Sequence, residues 1–361
     1  MASISTMLGQ SFDRGERLRL GGFFGAVGFL HVAGWGLLLF YGLGHPAFLA
    51  LGGLAYTFGL RHAFDADHIS AIDNTTRKLL QDGRKPVGVG FFFSLGHSTV
   101  VFLIAVALGL AVKSIVDGVV ADSGQLRSIG GAVGTLVSGT FLILIGILNL
   151  VILLDIVRVY RRMKKRGYDR ASLDHELMAG GFLTKIFGRL FRVIDHSWQM
   201  YPIGFLFGLG FDTASEVALL AISAGAAAKG MPLGAVISLP LIFAAGMSLM
   251  DTADGVFMSK AYRWAFAGPV RKIYYNVTVT ALSVTVALVI GTIELGQVLS
   301  NKLGWTGSFW AWLQRLDFGT LGYAIVALFA LTWLVAAAVW RWRRIEERWQ
   351  PAALVPPATD A

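Results

Sequence analysis

Residues 61–68 read Arg61-His62-Ala63-Phe64-Asp65-Ala66-Asp67-His68, which sets two imidazoles, two carboxylates and a guanidinium side by side. The octapeptide lies inside an apolar run long enough to span a bilayer. Ionisable groups there are costly, and they face a partner, a cavity or a path. Imidazole nitrogens interleaved with carboxylate oxygens suit a divalent transition-metal ion. On a regular helix advancing 100° per residue, with His62 at zero, Asp65 falls at about −60°, His68 at about −120° and Asp67 at about 140°. Two arrangements follow. A regular helix presents His62, Asp65 and His68 on one arc and leaves Asp67 to a neighbour such as Arg61. An unwound segment, tolerated where backbone lines a cavity, frees all four.

Further polar residues punctuate other apolar runs. His97 lies within Ser94-Leu95-Gly96-His97-Ser98-Thr99, and beside the first cluster it is a candidate ligand or ligand support. His31 is a weaker candidate in the first run. Asp212 and Glu216, at i and i+4, share a helix face, with Thr213 and Ser215 as neighbouring oxygen donors. Asp251 and Asp254, at i and i+3, stand near Ser248 and Thr252. Arg61 cannot neutralise Asp65, Asp67, Asp212, Glu216, Asp251 and Asp254 together, so a cation or protons must share the task. Glu294 is expected to reach the outer interface, and Met247, Met250 and Met258 to serve as packing. Imidazole and carboxylate without thiolate suit nickel, cobalt, iron, manganese or zinc better than Cu(I), whereas magnesium and calcium prefer an all-oxygen shell.

The elements that must position these groups are membrane helices. Of 361 residues, 55% are hydrophobic and only 15% charged, well under the roughly 25% of a soluble domain. The chain holds no cysteine, which excludes disulfides, Fe–S clusters and thiolate zinc sites. Apolar runs near 21–43, 47–72, 87–112, 129–154, 200–228, 232–258, 273–297 and 319–340 predict an all-α, polytopic membrane protein of about eight transmembrane helices. The first run is too long, and lacks a following cleavage site, to read as a signal peptide. Twenty-five of the 31 Lys and Arg residues fall in alternate connecting segments, among them Arg77, Lys78, Arg84 and Lys85. By the positive-inside rule both termini are cytoplasmic. The +9 formal charge is thereby a matter of topology, and no nucleic-acid partner is implied.

The basic segment separates two groups of four spans. The expected organisation is a cytoplasmic segment 1–20, a first membrane half 21–154, a basic cytoplasmic loop 155–199, a second membrane half 200–340 and a cytoplasmic tail 341–361. The basic run from Arg161 to Arg166 anchors topology at anionic lipid. Phe58-Gly59-Leu60 is echoed by Phe207-Gly208-Leu209, and Gly96-His97-Ser98 by Gly246-Met247-Ser248, at offsets of 149 and 150 residues. Because the echoing spans run in opposite directions, spans 2–4 and 5–7 are expected to form an inverted repeat with its site near the midplane.

At these residues the chain resembles the nickel/cobalt transporter family of eight-span permeases. His62-Ala63-Phe64-Asp65-Ala66-Asp67-His68 matches the family's His-x4-Asp-His signature. Leu95-Gly96-His97-Ser98-Thr99-Val100-Val101, Leu209-Gly210-Phe211-Asp212-Thr213-Ala214-Ser215-Glu216 and Gly246-Met247-Ser248-Leu249-Met250-Asp251-Thr252-Ala253-Asp254 match three further motifs in order. Ser215 stands where members often carry Thr, and the hydroxyl is kept. The resemblance implies high-affinity uptake of Ni2+ or Co2+ by a secondary transporter of the cytoplasmic membrane, with no cofactor. It also implies that His62, Asp67 and His68 are essential, and that His31 with Phe64 belongs to the version accepting cobalt as well as nickel.

No P-loop occurs, so no ATPase function is expected in this chain. Two rivals come from other classes. An intramembrane metal-dependent enzyme would use the His/Asp cluster to activate water, but His-Glu-x-x-His is absent and the carboxylates are dispersed over both halves. A proton-coupled carrier of a non-metal solute would use the same carboxylates for protons.

Overall fold

A computed structural model describes residues 12–110, 125–166, 194–209, 214–266, 269–316 and 318–343. Within them the secondary structure is helical: α1 (Arg14–Gly42), α2 (Pro46–His62), α3 (Ala66–Gln81), α4 (Val89–Leu110), α5 (Gln125–Arg166), α6 (Met200–Phe207), α7 (Ala214–Ala228), α8 (Leu233–Phe266), α9 (Pro269–Leu303), α10 (Ser308–Gln314) and α11 (Phe318–Trp342), with one 3-10 turn at Ser197–Gln199. Among the described residues five helices are long and apolar enough to cross a membrane, namely those containing Arg14–Gly42, Val89–Ala107, Leu233–Trp264, Val277–Leu303 and Leu321–Trp342. The chain is a multi-pass membrane protein. Shorter apolar helices cover Thr135–Val151 and Ala218–Ala228.

Two of the expected runs are not continuous helices. The run 47–72 is α2 followed by α3, and the run 200–228 is α6 followed by α7. The most apolar window of α8 is 67% buried and that of α4 is 61%, against 17% for α1 and 22% for α11. The inner pair is therefore α4 and α8, with α1 and α11 on the periphery.

The sequence echo is a packing rule. Gly96 of α4 closes on the backbone of Tyr201 and Phe205 in α6, and Gly246 of α8 closes on Tyr56 and Leu60 of α2. A side chain at either position would strike the neighbouring backbone. Thus α4 grips α6 as α8 grips α2, while α4 packs on α8 and α5 on α9. This reciprocal pairing is what an inverted repeat of spans 2–4 and 5–7 requires.

Polar contacts tie the basic ends together. Lys85 pairs with Asp13, Arg263 with Glu16, and Lys78 Nζ donates to the Ile194 carbonyl at 2.7 Å. The N-terminus of α1, the C-termini of α3 and α8, and residue 194 therefore meet at one end. Arg77 and Lys78 correct the sequence-based assignment to a connecting segment: both lie in α3 and are fully buried. A helix continuing past the apolar run, with its polar side chains satisfied inside the bundle, leaves no hydropathy signal. Glu294, expected at an interface, is likewise buried in α9, whereas Met247 and Met258 are buried packing residues as expected.

Candidate metal centre

The first helix break makes the site. α2 ends at His62, Ala63 and Phe64 turn, and Asp65 takes the N-cap position of α3 in an extended conformation (φ −64°, ψ 145°). Of the two arrangements open to the sequence, the chain takes the unwound one. No proline enforces it. Gly322 of α11 sits where any side chain would collide with the Phe64 carbonyl, and the Phe64 ring stacks on Tyr323 at 5.5 Å. The last helix thus braces the opened turn.

Three imidazoles converge at this break. His62, His68 and His97 are buried, and each offers a ring nitrogen within 4.8 Å of the others. Their ring centroids lie 4.6–4.8 Å apart. His62 Nε2 is 3.0 Å from His97 Nε2, and His97 Nε2 is 2.7 Å from Glu216 Oε1. Metal–nitrogen bonds of about 2.0–2.1 Å place adjacent ligands roughly 3 Å apart. The same three atoms can also hold a proton between them. Each His is backed by an acid or hydroxyl: His62 Nδ1 lies 2.9 Å from Asp65 Oδ2 and 3.3 Å from Ser215 Oγ, and His68 Nδ1 lies 3.2 Å from Asp251 Oδ2. Such partners fix ring orientation and raise ligand basicity. His68 Nε2 has no hydrogen-bond partner and is buried.

The group draws on both halves of the chain, with His62 from α2, Asp65 and His68 at the start of α3, His97 from α4, Glu216 from the first turn of α7 and Asp251 from α8. Asp67 is half-buried in the first turn of α3, where its Oδ1 accepts the His68 backbone N–H at 2.9 Å. Asp254 lies one turn along α8 from Asp251, and its Oδ2 is buried without a hydrogen-bond partner. Asp212 falls outside the described residues.

His31 is placed differently. Its Nδ1 is 2.8 Å from the Val27 carbonyl and its Nε2 3.2 Å from the Tyr56 hydroxyl, so both ring nitrogens are engaged away from the three-histidine group. Sequence reasoning also missed a second buried polar group on α3, comprising Asp73, Asn74 and Arg77. The only signal available was that Asp73-Asn74-Thr75-Thr76-Arg77 follows the ligand motif without a break in helical spacing.

Residues 48–339 match the family of high-affinity nickel-transport proteins. Over 359 residues, 97% of this chain and 96% of the relative, the sequence is 53% identical to a nickel transporter of Mycobacterium tuberculosis. It is 51% identical over 336 residues to a nickel transporter of Staphylococcus aureus, covering 93% of this chain and 98% of the relative. A cobalt transport protein of Rhodococcus rhodochrous is 42% identical over 339 residues, covering 90% and 93%. No solved structure matches the chain.

Proposed function

The chain belongs to the high-affinity nickel-transport protein family, and on that premise we propose that it is a secondary transporter importing Ni2+ or Co2+ across the cytoplasmic membrane. The observation that carries the reading is the convergence of His62, His68 and His97 at a helix break, backed by carboxylates from both halves of the chain.

The ion enters from outside and sheds water. His62, His68 and His97 then replace the lost ligands, with Glu216, Asp65 and Asp251 supplying negative charge. Asp67 and Asp254 border this centre, and Asp212, four residues before Glu216 in the sequence, contributes a further carboxylate. His31 acts as a packing residue held by Tyr56. Because the ligands come from spans two, three, five and six, rocking one repeat against the other exposes the ion to the cytoplasm. A membrane potential negative inside favours a dication by about 4–5 kcal/mol per 100 mV.

The rest of the reading follows from the same premise. Both termini are cytoplasmic, the membrane halves are 21–154 and 200–340, and segment 155–199 is a cytoplasmic loop. The chain is a carrier without a cofactor, not an enzyme, and its partners are the metal ion and the bilayer. Radiolabelled nickel uptake into cells or proteoliposomes tests this. Wild type accumulates metal, and His62→Ala reduces accumulation to background. Equal accumulation by both proteins would sink the proposal.

A further inference from the structure

Beyond the histidine centre, α3 carries a polar cluster that transport through that centre does not itself use. Arg77 is fully buried. Its Nη2 donates to Asn74 Oδ1 at 2.7 Å and lies 3.5 Å from Asp73 Oδ2, and its Nη1 reaches the Thr280 carbonyl at 3.5 Å. The guanidinium stands 5.8 Å from the centre of the Tyr262 ring, and the Tyr262 hydroxyl donates to Asp73 Oδ1. Asn149 Nδ2 donates to Asn74 Oδ1 at 3.2 Å. One cluster thereby joins α3 and α5 of the first repeat to α8 and α9 of the second.

Resting on the transport reading, we propose that Asp73, Arg77 and Tyr262 form the inner gate of the path, a polar latch between the repeats that must part before the ion leaves for the cytoplasm. Two observations carry this.

The first is position. Asp73 follows His68 by five residues on α3, towards the end where Lys78 meets Ile194 and Lys85 meets Asp13. On α8, Asp251 contacts the His centre and Tyr262 the latch, and Asp254 lies between them along the helix with its Oδ2 buried. A line of carboxylates thus leads from the centre to the latch. An advancing dication brings positive charge towards Arg77 and competes with it for Asp73.

The second is the internal repeat. At the 149-residue offset, Asp73, Asn74 and Arg77 correspond to Ile222, Ser223 and Ala226 of α7. The fold closes its other half-helix without charges, so packing alone does not call for them. A buried ion pair is seldom better for stability than well-packed apolar side chains. Hydrogen bonds, unlike apolar packing, are exchanged for bonds to water at little net cost when a passage opens.

The cysteine-free chain makes the test clean. Ser259→Cys places a thiol at a fully buried position of α8, one turn from Tyr262 on the same face. Ser223→Cys places one at the matching level of α7. A membrane-impermeant thiosulfonate is applied to inside-out vesicles of the full-length protein, with no metal added. With the latch intact, Ser259→Cys reacts slowly. Tyr262→Phe, which removes only the hydroxyl, accelerates its reaction by about tenfold or more, the shift expected from losing one charge-assisted hydrogen bond. Asp73→Asn does the same, and Ser223→Cys keeps its rate in both backgrounds. An unchanged Ser259→Cys rate overturns the proposal. So does equal acceleration at both thiols, which marks a loosened bundle, or misfolding, and no gate. Because labelling needs no metal, its failure is distinguishable from a failure of nickel uptake.

Discussion

α3 and α7 occupy matching places in the two repeats, each following a separate helix of the same apolar run, yet they are held by opposite means. α3 buries Ser70, Asp73, Asn74, Thr75, Thr76, Arg77 and Lys78. Beyond Ser215 and Glu216, α7 is mostly Ala, Leu and Ile, with Ser223 as its further buried polar residue. The first turns of both helices carry residues that meet the three-histidine group, His68 on α3 and Glu216 on α7. Their remaining lengths differ in what they bury, polar side chains along α3 and small apolar ones along α7. Along α3 the contacts form a directional hydrogen-bonded cluster of Asp73, Asn74, Arg77 and Tyr262. Along α7 small apolar side chains pack without fixed direction. The contrast gives each half-helix a separate failure mode.

The largest effect should come from the shared centre. His97→Ala removes the imidazole that bridges His62 and Glu216, and nickel uptake should drop by more than about a hundredfold, beyond the 10–100-fold typical of losing a supporting partner. Uptake within a few-fold of wild type would remove His97 from the centre.

Next comes the latch. Arg77→Met leaves Asp73 uncompensated, and about 3–5 kcal/mol of stability should be lost in a thermal or denaturant melt. Replacing Asp73 and Arg77 together by Leu, in the manner of α7, should regain most of that stability while uptake stays impaired. If the doubly apolar protein transports like wild type, the difference between α3 and α7 is decorative.

Gly322→Ala sets a methyl group against the Phe64 carbonyl, so the brace on the opened turn must shift. A loss of about 1–3 kcal/mol is expected, with weaker nickel affinity, readable by melting and by concentration-dependent uptake. Ser215→Ala removes a hydroxyl 3.3 Å from His62 Nδ1 and should lower apparent affinity by about tenfold.

At the periphery, Asp13→Ala should leave uptake unchanged. Its hydrogen bond to Lys85 holds the Asp13 carboxyl below the ordinary 3.8, so this contact is complete at neutral pH and is lost as pH falls through the lowered value. Acid loss of transport should begin well above that range, because ligating histidines must be neutral, and an uptake profile flat from pH 7 to pH 5 would argue against imidazole ligation.

The sequence by itself determined the class of the fold and supplied the candidate groups of the centre. His62, Asp65 and His68 were legible because ionisable residues in an apolar run have few other uses. The all-helical, multi-pass class was legible because apolar length is a property of chain segments. The 149- and 150-residue echoes pointed to an inverted repeat, and their glycines Gly96 and Gly246 stand at matching close contacts of α4 with α6 and of α8 with α2. Only the tertiary structure decided which way the helix question at Asp67 resolved, because the opened turn is packed against Gly322, more than 250 residues downstream. It alone assigned Asp251 to His68, Glu216 to His97 and Tyr262 to Asp73. Helical periodicity fixes directions around a single axis, whereas these pairs depend on how separate axes pack. The burial of Arg77 and Lys78 escaped the sequence for the same reason: a charge reads as exposed until the partners that neutralise it, carried on other helices, are in place.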